Sequence, residues 1–82
     1  MALITEITTS KVSLGELAAD TVFTCKQGHI GLTTDDAADD NTNGPHDYFD
    51  LHIGMRVVIS SGQTVKYRKF GTADAVLHHM PL

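Results

Sequence analysis

The chain has 82 residues, 41% of them hydrophobic and 20% charged, which is too apolar for a disordered segment and too short for two ordinary domains. The formal net charge is −4, with six of the ten acidic residues between Asp35 and Asp50 and the clearest basic cluster limited to Lys66, Arg68 and Lys69, so recognition of duplex nucleic acid through its phosphates is disfavoured. Cys25 is the only cysteine, which excludes an intrachain disulfide.

Residues 2–9 are rich in Thr and Ile and favour an edge strand or an extended arm over residues 1–10. They meet Glu6 before any long apolar run and lack the basic start of a signal peptide. No later segment approaches the roughly 20 apolar residues of a membrane span, so the expectation is a cytoplasmic product with no membrane partner. Ser13-Leu14-Gly15-Glu16 has the spacing of a helix capping box, and a helical turn through Leu17-Ala18-Ala19 could follow; a strand through Val12 and Leu14 fits as well.

Thr21 to Gln27 reads as a strand with Phe23 and Cys25 facing inward. Gly28 then turns the chain, and His29 to Thr34 pairs back with Ile30 and Leu32 buried. Asp35 to Asp47 is a long polar stretch of Asp, Asn, Gly and Pro with almost nothing to bury, and reads as an acidic loop.

In the second half, Leu51, Ile53, Met55, Val57 and Ile59 alternate with His52, Gly54, Arg56, Val58 and Ser60, the period of one half-buried strand. Ser60-Ser61-Gly62-Gln63 supplies a turn, and Thr64 to Phe70 continues as a second strand. Val65 and Tyr67 lie on one of its faces, and Thr64, Lys66 and Arg68 on the other. The expected core of this hairpin is Val57, Ile59, Val65 and Tyr67, and its basic residues are expected on a solvated surface. Gly71-Thr72-Ala73-Asp74 turns into a last strand, Ala75 to Met80, completing a meander. The sum is one all-β domain over residues 1–82, a small sandwich or barrel of about six short antiparallel strands with an N-terminal extended arm.

Within the acidic loop, Asp39, Asn41 and Asn43 place oxygen side chains at the first, third and fifth positions of a calcium-loop spacing. Gly44 stands at the sixth, Asp47 at the ninth and Asp50 at the twelfth. Ca²⁺ takes six to eight hard oxygen ligands from a flexible loop, which suits this set. Asp50 is shorter than the usual bidentate Glu, His46 replaces an apolar residue, and strands rather than helices flank the loop, so no EF-hand is expected. The competing reading is a surface turn with no cofactor at all. Cys25 with His29 and the pair His78-His79 offers nitrogen and sulfur ligands for zinc, provided they converge from different strands. Cys25 with a histidine is the one nucleophile arrangement to consider. No phosphate-binding glycine loop or nucleophile elbow is present, and the expectation is a protein that is not an enzyme.

The layout from Leu17 to Pro81 resembles the short accessory structural proteins of tailed bacteriophages, small β-sandwich modules of heads or tail fibres. The resemblance rests on a short strand, Thr21-Val22-Phe23-Thr24-Cys25, followed by Gly28-His29-Ile30-Gly31-Leu32. A variable polar loop ends in Pro45, and Leu51 to Ile59 carries a glycine in its middle. Gly62 to Arg68 and Ala75-Val76-Leu77 complete the set. It implies a non-enzymatic virion component, a capsid decoration or tail or fibre module. Such a module acts by forming a homo-oligomer such as a trimer and by contact with other virion proteins. The residues 2–10 would then add to a neighbour's sheet edge. The alternative is a small soluble phage-encoded inhibitor that binds a host protein through the acidic loop, where concentrated charge would steer association.

Overall fold

Alternation decides which face a strand buries, and the computed structural model, which describes residues 2–34 and 49–82, shows it most plainly over Thr21–Gln27. The strands are β1 (Ala2–Ile4), β2 (Val12–Glu16), β3 (Thr21–Gln27), β4 (Ile30–Thr33), β5 (Phe49–Leu51), β6 (Arg56–Ile59), β7 (Thr64–Lys69) and β8 (Val76–Pro81). In β3, Thr21, Phe23 and Cys25 are buried; Ile30 and Leu32 of β4, Val65 of β7 and Leu77 of β8 point the same way into the core. Among the described residues there is no helix, and so none long and apolar enough to cross a membrane.

The strands form two four-stranded antiparallel sheets, a first of order β1-β8-β3-β6 and a second of order β2-β7-β4-β5. The pairings are nested. β4 pairs with β5, β3 with β6, β2 with β7 and β1 with β8, and each step inward along one arm is matched by a nearly equal step along the other. The chain is thus one long ribbon, folded back between β4 and β5. It then wraps so that β3 meets β8 and β4 meets β7. This is the strand order of an eight-stranded jelly roll, a closed way of covering a small core with two sheets. The core between them comprises Ile7, Leu17, Phe23, Cys25, Ile30, Leu32, Leu51, Ile59, Val65, Ala75 and Leu77.

Of the sandwich or barrel expected from the sequence, the sandwich is therefore present, with eight strands among the described residues rather than about six. Ile59 and Val65 are buried as expected, and Val57 and Tyr67 are partly buried against the core. Residues 12–16 form the strand, not the helical turn. Several features differ from the sequence reading. Leu51 to Ile59 is not one strand: β5 ends in the second sheet and β6 begins in the first. Between them His52 to Met55 makes a turn closed by a 2.9 Å bond from Met55 N–H to the His52 carbonyl, with Gly54 at φ 86°. A left-handed residue there lets the chain change sheets, and it leaves Ile53 and Met55 exposed.

β6 and β7 are likewise not a hairpin, and β3 does not pair with β4. The turn at residues 60–63 crosses between sheets, and its hydrogen bonds go to the β2–β3 connection: Gly62 N–H to the Leu17 carbonyl, 2.8 Å, and Leu17 N–H to the Gln63 carbonyl, 2.9 Å. Consequently β6, β7 and β8 do not form a meander; β6 and β8 flank β3 in the first sheet while β7 sits in the second. Finally, Lys66 and Arg68 do lie opposite Val65, yet both are buried rather than solvated. Arg68 Nε donates to the Lys69 carbonyl, and its guanidinium carbon stands 4.9 Å from the Phe70 ring centroid, so its stem and head are covered together.

At the other end of the ribbon, β1 pairs with β8 of its own chain, and Ile7 anchors the following segment in the core. The Lys69 N–H bonds the Thr8 carbonyl at 2.9 Å. The N-terminal segment is thus folded onto its own sandwich from Ala2 onward.

Candidate functional site

Two features of the surface stand apart from a plain solvated sandwich. The first is a cluster of His29, Asp50 and His52. Gly28, at φ 77°, turns the chain out of β3 and presents His29 just before β4. Asp50 is the middle residue of β5 and, with Leu51 buried beside it, faces outward. His52 follows on the same face, because residues two apart on a strand share a side. The pairing of Ile30 with Leu51 continues outward to set His29 across from His52. Their rings accordingly stack, with centroids 4.2 Å apart and planes inclined by 17°.

The Asp50 carboxylate serves both rings. Oδ1 accepts a hydrogen bond from His29 Nε2, and Oδ2 lies 3.8 Å from His52 Nε2. Phe70 packs on His29 with a centroid separation of 4.8 Å, and the Phe70 N–H bonds the His29 carbonyl at 2.9 Å. On the outer face of the second sheet, Gly31 separates Asp50 on one side from Arg68 on the other. The three side chains are only partly covered, so their ion pairing by itself adds little stability.

Of the calcium-loop residues, Asp39, Asn41, Asn43 and Asp47 lie outside the described residues, and Asp50 is engaged with the two histidines. The zinc set is not assembled. Cys25 is buried, and its Sγ donates to the carbonyls of Gln27 (3.5 Å) and Gly28 (3.4 Å). Burial pushes its thiol pKa up, partly offset by a backbone hydrogen bond at Gln27, and the net rise keeps the thiol protonated rather than nucleophilic. His79 stacks on Phe23, 5.7 Å between centroids, and its neighbour His78 faces the opposite side of β8. His29 alone of that set belongs to the cluster described above. The sequence carries one local trace of the cluster, the Asp-x-His spacing of Asp50 and His52; His29 joins them only through the β4–β5 register.

The second feature is the outer face of the first sheet. Register places Val22 opposite Met80 on one side and Val58 on the other, so the three share one cross-strand row on the solvent side. Beside it runs a second row, Leu3, His78, Thr24 and Arg56. Val58 is 53% exposed, Leu3 61% and Met80 40%. Comparison of the chain with models of known protein families, with curated proteins and with solved structures found no match to any of them.

Proposed function

We propose that the chain is a non-enzymatic structural module, of the kind that accessory virion proteins of tailed bacteriophages represent, and that it works by self-association and protein contact through the outer face of the first sheet. The observation that carries this reading is the apolar row Met80–Val22–Val58 with Leu3 beside it. The solvated face of an antiparallel sheet is ordinarily polar, and contiguous exposed apolar surface marks protein interaction sites. The jelly-roll strand order is consistent with it by analogy, since many capsid proteins use that architecture, though a fold alone does not carry a function. Because β1 already pairs with β8, association through the sheet face needs no exchange of the N-terminal segment.

Sedimentation velocity over a range of concentrations tests the reading. The native chain is expected to form a closed homo-oligomer such as a trimer. Val58→Asp, which places a charge in the centre of the row, is expected to give a monomer with an unchanged circular dichroism spectrum. A native chain that stays monomeric at every concentration, or an oligomer indifferent to Val58→Asp, would overturn it. Mass spectrometry of purified particles from a producing host then detects the chain on a virion or fails to.

A further inference from the structure

We propose that His29, Asp50 and His52 form a binding site for one divalent transition metal of the zinc class. One ligand atom from each of the three lies within 4.8 Å of the other two. A tetrahedral zinc ion with ligands at roughly 2.0–2.2 Å holds its donors about 3.4 Å apart, so the site closes when the two imidazoles turn out of their parallel stack and aim their in-plane lone pairs at one ion. The backbone that carries the ligands is fixed before any ion arrives. His29 is seated by the Phe70 ring packed on its imidazole and by the Phe70 N–H bonded to its backbone carbonyl. The His52 carbonyl closes the turn to Met55, and that turn is tied to β3 by Gly54 N–H to the Cys25 carbonyl and Cys25 N–H to the Met55 carbonyl, 2.9 and 3.0 Å. Asp50 is held in the β4–β5 ladder opposite Gly31, which has no side chain to obstruct it.

The donor set selects the metal. Two imidazole nitrogens and one carboxylate oxygen suit zinc, nickel, cobalt or copper, whereas calcium takes oxygen ligands almost alone. Binding would replace the hydrogen bond between His29 and Asp50, and the proton on His29 Nε2 would leave that nitrogen for Nδ1 or for solvent. With three protein ligands on a partly exposed surface, the remaining position is open to water or to a donor from another molecule. The inference draws on none of the residues of the apolar row, so it stands or falls apart from self-association.

Isothermal titration of the purified full chain with Zn²⁺ and, separately, Ca²⁺ tests it, with Co²⁺ absorption as a report on coordination geometry. One Zn²⁺ per chain is expected, together with a raised melting temperature that chelator reverses, tetrahedral Co²⁺ bands, and no comparable effect of Ca²⁺. His29→Ala, Asp50→Asn and His52→Ala should each weaken Zn²⁺ binding roughly tenfold or more, while His78→Ala, outside the cluster, should leave it intact. His52 is exposed at a turn, so its substitution keeps the fold and the test informative. No saturable Zn²⁺ binding, or binding that survives both His52→Ala and Asp50→Asn, would overturn the proposal.

Discussion

Gly28 and Asp74 meet backbone to backbone: a Cβ on Gly28 would stand 2.5 Å from the Asp74 carbonyl oxygen and 3.0 Å from the Ala75 Cα. The close approach lets the β3–β4 turn seat against the residues that lead into β8, and it sets His29 at the start of β4. Gly28→Ala is therefore expected to destabilise the fold by more than about 2 kcal/mol, combining a left-handed φ with a clash against rigid backbone. Gly62→Ala, at φ 87° with open space around it, should cost about 1 kcal/mol from conformation alone. Urea denaturation of the two variants checks the order; equal losses would mean that the approach to Asp74 is not tight.

Ile53 and Ile59 would share a face if Leu51 to Ile59 were one straight strand. The corner at Gly54 separates them, leaving Ile53 68% exposed and Ile59 5% exposed. Ile59→Ala should cost about 2–5 kcal/mol by opening a cavity in the core. Ile53→Ala should fall within about 0.5 kcal/mol of the native chain. Comparable losses at both positions would restore the single strand.

Cys25 should be inert to iodoacetamide in the native state, because it is buried and its thiol is kept protonated by that burial. Its alkylation rate should rise with denaturant along the unfolding curve. Rapid labelling of the folded protein would place the thiol at the surface.

His79 lines an open depression at the end of the sandwich with Leu14, Glu16, Leu17 and Pro81. Burial lowers its pKa from the ordinary 6.5, and nearby positive charge, that of His78 included, lowers it further. The folded state thus prefers the neutral ring. The stability this contributes is complete above the unfolded value and is lost as pH falls through the lower folded one. Melting temperatures measured from about pH 7 to about pH 5 should decline less steeply for His79→Gln than for the native chain. Parallel curves would show that other groups carry the acid sensitivity.

Strand positions and inward faces were legible in the sequence where the pattern is local. Phe23, Cys25, Ile30, Leu32 and Val65 follow period two, and each strand's alternation records its own half-burial whatever lies next to it. The same alternation misled at Leu51 to Ile59, since a glycine in the middle of an apolar run reads alike whether it lies flat in a strand or turns a corner. Of the candidate cluster, Asp50 reads as a calcium ligand and His52 as a strand residue, and the Asp-x-His spacing that joins them is the only trace legible in the sequence. His29, 21 residues from Asp50, leaves none.

What the sequence by itself determined was an all-β chain, with most of its inward apolar positions and most of its turns. Which strands pair was decided only by the tertiary structure. Gly28 and the turn at residues 60–63 have the composition of hairpin turns, and both instead carry the chain from one sheet to the other. A turn's residues fix its local dihedrals, whereas its partner is chosen by where the most apolar surface can be buried at once, a quantity that depends on the whole chain. The nested pairing of β1 to β4 with β8 to β5 closes that surface around Phe23, Ile30, Leu32 and Leu77. The meeting of His29 with Asp50 and His52 is a consequence of that closure, because only the ribbon's register sets them side by side.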